Sequence, residues 1–255
     1  MASIFEPVDI GNFTEAAAAV DPIAFENIVR SRRSVRVYTE ELIPENIVDK
    51  CFDLALLAPN SSNLQTWAFY QVKSEAKRKA MNEACLSQPA ATTAPVLIMC
   101  VVRLNIWRAH AKLMLSYFDK QKNRPPQAAI DYYTKLVPLA NSLGPIGLFG
   151  LAKKIILPII GVFKPVPRGP ASYADLRVWA HKSAALACEN LMLAFRAYGY
   201  DTCPMEGFDS QRVKSILGLG RHVEVVMAIS AGKRGPKGVY GPQIRFDRSL
   251  FIHEV

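Results

Sequence analysis

One long, mostly apolar segment, Asp175 to Tyr198, constrains the fold of this chain more than any other feature. Its composition predicts a helix, and Gly199 directly after it suits the C-terminal cap. A helix that is apolar on most sides must be buried nearly all round, either in a large core or at a subunit interface. Half of the 255 residues are hydrophobic and 21% are charged, so the chain can bury such a core.

Shorter apolar runs predict a small central sheet. The run Ala94–Val102 follows a turn and reads as a strand buried on both faces, and Val223–Ile229 reads as a second one. Trp67–Val72 is a third predicted strand. Helices are predicted between them, at Pro22–Arg30 with Asp21 as its cap, Pro44–Ala58, Lys73–Cys85 and Ser210–Leu217. This interleaving predicts an α+β or α/β fold.

The second predicted helix has its apolar residues at helical spacing. They fall on one face, which we expect to be buried, and they are Ile47, Cys51, Leu54, Ala55 and Ala58.

Charge and cysteine content exclude several classes of protein. The net charge is +9, but the basic residues are spread along the chain without a nucleic-acid motif, which favours anionic small molecules over nucleic acid. The five cysteines are odd in number, widely spaced and without a CxxC pair, which predicts neither zinc nor a disulfide framework. Residues 1–13 lack a basic segment before an apolar run, so we expect no secretory signal and a cytoplasmic protein.

The stretch from about residue 104 to 170 does not fit simple alternation. It contains an aromatic helical piece, Trp107–Phe118, and a Gly/Pro-punctuated apolar run that Lys153, Lys154 and Pro158 interrupt. The run lacks the roughly twenty uninterrupted apolar residues of a spanning helix. Three interpretations stay open: an elaboration packed on the core or dimer seam, a lid over a hydrophobic site, or membrane contact through residues 143–165, the last being the least expected.

Four polar motifs carry candidate chemistry. Arg32, Arg33, Ser34 and Arg36 offer directed donors for a phosphate, and Arg245 near the C-terminus could add another. The loop Pro59–Trp67 is rich in short amides and hydroxyls, which suit the mixed donor and acceptor edge of a flavin. In the segment Pro204–Phe208, Gly207 allows close backbone approach and Glu206 supplies a carboxylate. Each motif taken alone also fits an ordinary turn or surface segment.

The order of these motifs decides between the interpretations. The chain contains, in this order, RRSVR, APNSSNLQTWAF, a long apolar helix, GYDTCPMEGFD and a terminal Gln-x-Arg. This arrangement resembles the FMN-dependent nitroreductase family along nearly the whole chain. The resemblance implies one domain over residues 1–255, with a variable insertion or lid at about 104–170. It also implies a central mixed β-sheet flanked by helices, in an intertwined homodimer that builds each flavin site from both chains.

The resemblance also implies the roles of individual residues. Arg32, Ser34 and Arg36 would bind the phosphate and ribityl chain of FMN, with Arg33 supplying mainly backbone. Glu206 would lie at the ring edge and tune the flavin. The full set of implied cofactor-binding residues is Arg32, Arg33, Ser34, Arg36, Pro59, Asn60, Ser61, Asn63, Pro204, Met205, Glu206, Gly207, Gln243 and Arg245. Pro59, Asn60, Ser61 and Asn63 would reach the flavin from the other subunit.

Three positions depart from the family pattern. Gln243 stands where the family often has lysine, so Lys237 or Arg248 would have to restore the lost charge. Thr66 replaces a proline before Trp67, and Asn60 replaces a serine.

The sequence has four histidines, His110, His181, His222 and His253, and they lack metal-ligand spacing. We therefore expect no metal site, and we expect a packing or capping role for His181.

The family's chemistry implies a ping-pong cycle. NADPH or NADH would reduce FMN, leave, and be replaced by a nitroaromatic, quinone or similar conjugated acceptor. Two alternatives stay open: another reaction on the same flavin scaffold, such as reductive dehalogenation or dehydrogenation, and a flavin-binding protein without catalysis.

Overall fold

The computed structural model describes residues 15–121 and 125–255. The segment 1–13, expected to lack a secretory signal, and Arg124 of the insertion lie outside these residues. The helices are α1 (Pro22–Ser31), α2 (Glu45–Leu56), α3 (Glu75–Ala84), the single turn α4 (Pro89–Thr92), α5 (Trp107–Lys120), α6 (Gln127–Asp131), α7 (Val137–Asn141), α8 (Leu148–Phe163), α9 (Tyr173–Ala197) and α10 (Ser210–Leu217). The strands are β1 (Trp67–Gln71), β2 (Val96–Arg103), β3 (Asp201–Met205) and β4 (Val223–Gly232).

Local chemistry fixes most of the helix ends. The Asp21 carboxylate accepts from the backbone N–H groups of Ile23 and Ala24, at 2.9 and 3.2 Å, as the sequence predicts. Gly199 follows α9 with φ +84°, in the left-handed region that glycine enters without strain. Helix α9 begins two residues before its predicted start, because Ser172 Oγ accepts from Asp175 N at 3.2 Å. The Asp175 carboxylate in turn accepts from Ala171 N at 2.9 Å.

The described strands form one four-stranded sheet in the order β1-β2-β4-β3, with antiparallel pairing between neighbours. A parallel bridge between Ser34 and Thr202 adds the single parallel element found among the described residues. Strand β2 is buried on both faces, as predicted. Its alternate side chains Ile98 and Cys100 pack with α2 and α9, whereas Leu97 and Met99 pack with α3 and α10.

Strand β3 corrects the sequence interpretation, which predicted no strand over residues 201–205. The segment pairs with the end of β4 and lies at the edge of the sheet. Pro204 is tolerated there because an edge strand need not donate a hydrogen bond on its outer side.

One predicted burial pattern was wrong in part. On α2 the buried residues are Val48, Cys51 and Ala55, whereas Leu54 is 42% exposed. Helix α9 was expected to be buried nearly all round, in a large core or at a subunit interface. Within the single chain its inner side is buried against the sheet and α2, whereas Val178 is 59% and Leu186 48% exposed.

The insertion folds into helices α5 to α8, and a π-helical turn, Tyr132–Leu136, joins α6 to α7. Its own small core includes Leu64, Trp107, Tyr133 and Val137. Within the part of the chain that the structure describes, one helical stretch, Pro145–Phe163, is long and apolar enough to cross a membrane by length and composition. The sequence interpretation had judged this run too short and too interrupted.

Candidate functional site

The arginine-rich segment after α1 is held in place by its backbone. Val35 N donates to Thr202 O of β3 at 3.0 Å, and Arg36 N donates to Gly238 O at 2.7 Å. These bonds place residues 32–36 between the edge strand and the chain that follows β4. The side chains on either side of buried Val35 are therefore presented outward along one edge of the sheet.

A polar cavity of about 190 Å³ lies at this edge. It brings together the first and the last of the sequence motifs, which are more than two hundred positions apart in the chain. Its lining residues are Arg32, Arg33, Ser34, Arg36, Val239, Tyr240, Gly241, Pro242, Gln243, Ile244 and Arg245. All six predicted residues of these two motifs are among them.

Arg32 lines this cavity, and one nitrogen of its guanidinium is unengaged by the described residues. In the described part of the chain its buried Nη1 has no hydrogen-bond partner. A buried guanidinium nitrogen without an acceptor is costly, and a phosphate oxygen would supply that acceptor. The positive charges of Arg36 and Arg32 also act on Cys203, where they oppose the effect of burial that raises the pKa of the thiol.

The other arginines of the segment have different partners. The Arg33 guanidinium donates to Gly241 O and so ties the C-terminal tail across the segment. The Arg36 guanidinium lies 5.0 Å from the centre of the Tyr240 ring, within cation–π range. The sequence interpretation missed Tyr240, because it began the C-terminal motif at Gly241. The aromatic side chain directly before Gly241-Pro242 was the signal that could have identified it.

Gln243 lies between two basic depressions. It lines the arginine cavity and also a second one with Arg33, Lys233 and Arg234. Neither Lys237 nor Arg248 is among the described residues that line the arginine cavity. The expected substitutes for the family lysine are therefore not at this position.

The segment Pro204–Gly207 lies at the end of the same edge strand. Met205 is buried in the core with Leu97 and Val213, so its backbone rather than its side chain faces outward. Glu206 and Gly207 are exposed directly after β3, and Gly207 O accepts from Gln88 Nε2 at 2.7 Å.

His181 on α9 lies in the electrostatic field of this segment. Burial lowers the pKa of His181, Arg177 lowers it further, and Glu224 and Glu206 act in the opposite direction. Its buried Nε2 has no hydrogen-bond partner among the described residues, so the predicted packing or capping role leaves this nitrogen unexplained.

The amide-rich loop adopts a strained backbone. Ser62, Asn63 and Gln65 have φ of +56°, +47° and +41°, which L-residues rarely adopt. Asn60 Oδ1 accepts from Gln65 N at 2.8 Å and closes the loop on itself. Strain of this kind persists only where surrounding contacts fix it.

The insertion supplies those fixing contacts. The hydroxyls of Ser62 and Tyr132 are 2.6 Å apart, and Tyr133 Oη donates to Ser62 O at 2.9 Å. His110 Nδ1 lies 2.6 Å from Leu64 O. These holding residues were not singled out from the sequence, because their partners are more than forty positions away.

The four motifs do not all meet in one chain. Of the described residues that line the arginine cavity, none comes from the loop 59–63 or from residues 204–207. The loop is held by the insertion, whereas the cavity lies beside β3.

The described residues offer no metal centre. No group of three or more histidine, cysteine or acidic residues among them is arranged to hold a metal ion, and all five cysteines are buried free thiols.

Comparison with known proteins gives a consistent result. Residues 29–233 match the model of the nitroreductase family. A Thermus thermophilus protein named as an NADH dehydrogenase is 25% identical over 217 residues, which cover 85% of this chain and 90% of the relative. A Bacillus subtilis protein named as an NAD(P)H nitroreductase is 26% identical over 233 residues, covering 87% of this chain and 97% of the relative.

Solved structures agree in fold. A Bacillus subtilis nitroreductase structure superposes with a TM-score of 0.70 at 21% identity, covering 91% of this chain and 99% of the other. A nitroreductase from Exiguobacterium sibiricum, solved in complex with FMN, gives a TM-score of 0.63 at 23% identity, covering 94% and 100%. At such identities the likeness shows the fold.

Proposed function

The chain belongs to the nitroreductase family, and we propose that it passes electrons from NADH or NADPH to a flat, conjugated acceptor such as a nitroaromatic or a quinone. It is a flavin-dependent oxidoreductase that uses FMN as its cofactor. The observation that carries this proposal is the arginine cavity. It joins the first and last motifs, and it holds a buried guanidinium nitrogen that lacks an acceptor.

The cavity fits the phosphate end of FMN. Arg32 and Arg245 would bind the phosphate oxygens, and the Ser34 hydroxyl would bind an oxygen of the phosphate or ribityl chain. Arg36 adds positive charge from its position over Tyr240. Arg33, whose guanidinium is engaged by Gly241 O, would contribute backbone and Gln243 a neutral donor.

The isoalloxazine ring would extend from this cavity along the outer side of β3. Pro204 and Met205 would lie along it through their backbone, because the Met205 side chain is in the core. Gly207 would allow close approach, and Glu206 would place a negative charge near the ring. Burial lowers the pKa of His181, and the charge of Glu206 is among those that raise it, so His181 is influenced by the same carboxylate.

A homodimer would complete the site. Val178 and Leu186 leave an apolar side of α9 open in the single chain, and Phe246 and Phe251 of the tail are exposed as well. Packing α9 against its copy and exchanging the tails would bury these side chains. The same assembly would bring Pro59, Asn60, Ser61 and Asn63 of one subunit to the cavity of the other, where their amides and hydroxyls can bind the ring edge.

The bound flavin supplies the two-electron chemistry, from the nicotinamide donor to the acceptor. The protein's residues bind and orient it. The arginines hold the phosphate end, the strained loop keeps its amides in one geometry, and the insertion that fixes this loop through Tyr132 and Tyr133 excludes water from one side. The apolar character of the insertion favours a hydrophobic acceptor such as a quinone.

The visible spectrum of the purified protein tests the proposal. We expect flavin bands that bleach when NADH or NADPH is added without oxygen, and that return when a nitroaromatic or a quinone is supplied. Bands that do not bleach would contradict the catalytic role and leave a flavin-binding protein. If FMN fails to bind even when it is supplied in excess, the cavity has been assigned wrongly.

Replacing Glu206 by Gln is expected to raise the reduction potential of the bound flavin. A nearby negative charge disfavours the electron-rich reduced ring, so its removal should shift the midpoint upward by about 20–40 mV. The side chain is exposed, and the fold should be unaffected. Glu83→Gln, also exposed but on α3, is the matched control. Equal flavin reduction potentials in the parent and both variants would show that Glu206 does not lie near the flavin ring.

A further inference from the structure

Helix α8 turns its apolar side chains toward solvent. Leu148, Leu151, Ile155, Ile159 and Val162 recur at intervals of three and four, so they lie along one stripe, and all five are exposed. Phe163 at the end of the helix is 83% exposed. Of the apolar stretch Pro145–Phe163 only 11% is buried, which is the reverse of what a core helix shows.

The opposite side of α8 is attached to the protein. The Lys153 ammonium is buried and donates to Ala140 O, Ser142 O and Pro170 O, at 2.7, 2.8 and 3.3 Å. Gly150 lies so close to Ala171 O that an added Cβ would be 2.5 Å from it. The lysine that interrupts the apolar run in sequence thus points inward, and the outward stripe is not interrupted by it.

The surroundings of α8 are positively charged. Residues 132–174 contain five basic residues and no aspartate or glutamate. Lys135 is paired with Asp131 and Lys153 is turned inward, which leaves Lys154, Lys164 and Arg168 exposed around the helix. An apolar stripe bordered by lysine and arginine is the arrangement of helices that lie in the headgroup region of anionic membranes.

An apolar cavity of about 320 Å³ lies beside the same helix. Its lining includes Leu136, Leu139, Phe149, Ile156, Val166 and Pro167. A second protein surface would have to match this shape with a side chain, whereas flexible acyl chains can fill it without a specific match.

We propose that α8 binds an anionic lipid bilayer, lying parallel to its surface with the stripe Leu148–Val162 among the upper acyl chains and Lys154, Lys164 and Arg168 at the headgroups. A spanning orientation is disfavoured. Spanning would pull the Lys153 ammonium from its three carbonyls and carry this charge into the hydrocarbon core.

Vesicle flotation of the FMN-loaded protein tests this proposal, with vesicles of phosphatidylcholine alone or mixed with phosphatidylglycerol. We expect binding to the anionic vesicles that weakens as salt is raised. Ile155→Gln with Ile159→Gln should weaken it on the order of 100-fold, since two isoleucines no longer enter the hydrocarbon. Lys164→Gln with Arg168→Gln should weaken it about 20-fold. Leu42→Gln with Leu86→Gln, both exposed away from the insertion, should bind like the parent.

Several results would overturn the proposal. One is a parent protein that floats with neither kind of vesicle, and another is an Ile155/Ile159 variant that binds as well as the parent. Equal binding to neutral and anionic vesicles would refute the role of the basic residues. A fall in oligomeric mass of the Ile155/Ile159 variant, without vesicle binding by the parent, would show that a second copy covers α8. Because flotation needs no nicotinamide or acceptor, its failure leaves the proposed oxidoreductase function untouched.

Discussion

Replacing Arg32 and Arg245 together by alanine is expected to give a folded protein that emerges colourless from gel filtration. Both guanidiniums line the arginine cavity, and Arg32 Nη1 lacks an acceptor among the described residues. Each charge-assisted bond to a phosphate contributes about 1.5–3 kcal/mol, so losing two of them and their charge should weaken FMN binding at least about 100-fold. The measurement is the ratio of flavin to protein absorbance, with a titration of added FMN.

A matched control separates this effect from a general loss of positive charge. Lys77→Ala with Lys79→Ala removes the same two charges from the exposed side of α3. We expect this variant to retain FMN like the parent. Parental flavin content in the arginine variant, or equal loss in both variants, would contradict the assigned phosphate site.

Mixing two defective subunits tests whether the site is shared. One variant lacks Arg32 and Arg245, and the other carries Asn60→Ala with Asn63→Ala. If each site takes its arginines from one chain and its loop from the other, a mixed dimer has one intact and one doubly defective site. Random reassociation should then restore about a quarter of the parental flavin content. If well-mixed subunits recover no bound flavin, each site takes its arginines and its loop from the same chain.

Much of the fold follows from local sequence signals. The cap at Asp21, the left-handed Gly199 and the run that forms β2 depend on neighbouring residues or on simple burial, and each was predicted. Strand β3 was not, because Asp201 and Pro204 disfavour strands, Thr202 is its single β-branched residue, and its stability comes from pairing with β4. The sequence left open whether α9 is buried in the core or at a subunit interface, because apolar composition indicates burial without saying which chain provides it.

The candidate site was likewise only partly predictable from the sequence. The order of the motifs led to both halves of the arginine cavity, but Tyr240 and the unengaged nitrogen of Arg32 depend on how residues far apart in the chain fold together. The insertion shows the limit most clearly. Periodicity alone does not reveal that Lys153 points inward, so the sequence pattern underestimated how continuous the outward apolar stripe of α8 is.

Replacing Asp201 by alanine is expected to destabilise the fold more than any substitution of a surface ion pair. Asp201 opens β3 and is only 4% exposed. Arg234 donates to both of its oxygens, Nε to Oδ2 at 3.0 Å and Nη2 to Oδ1 at 2.7 Å, and Arg196 Nη1 donates to Oδ1 at 3.0 Å. The hydrogen bonds that Arg234 donates to the Asp201 carboxylate raise the pKa of Arg234.

Alanine at this position would leave two guanidiniums side by side without their anion. The arginine side chains are partly exposed and can regain some hydration, so the expected loss is about 2–4 kcal/mol, below that of a fully buried pair. For a chain of this size the thermal midpoint should fall by about 5–15 °C. Asp131→Ala, which breaks the exposed pair with Lys135, is the control and should leave the midpoint unchanged.

The same substitution should also reach the flavin site, because Asp201 fixes the strand against which the arginine segment is held. Thr202, the next residue, accepts from Val35 N and bridges to Ser34. A loosened β3 should therefore weaken FMN binding even at temperatures where the variant is folded, and Asp201→Asn, which keeps the acceptor oxygen, should lie between alanine and the parent. A destabilised variant with parental FMN affinity would show that the arginine cavity does not depend on this ion cluster.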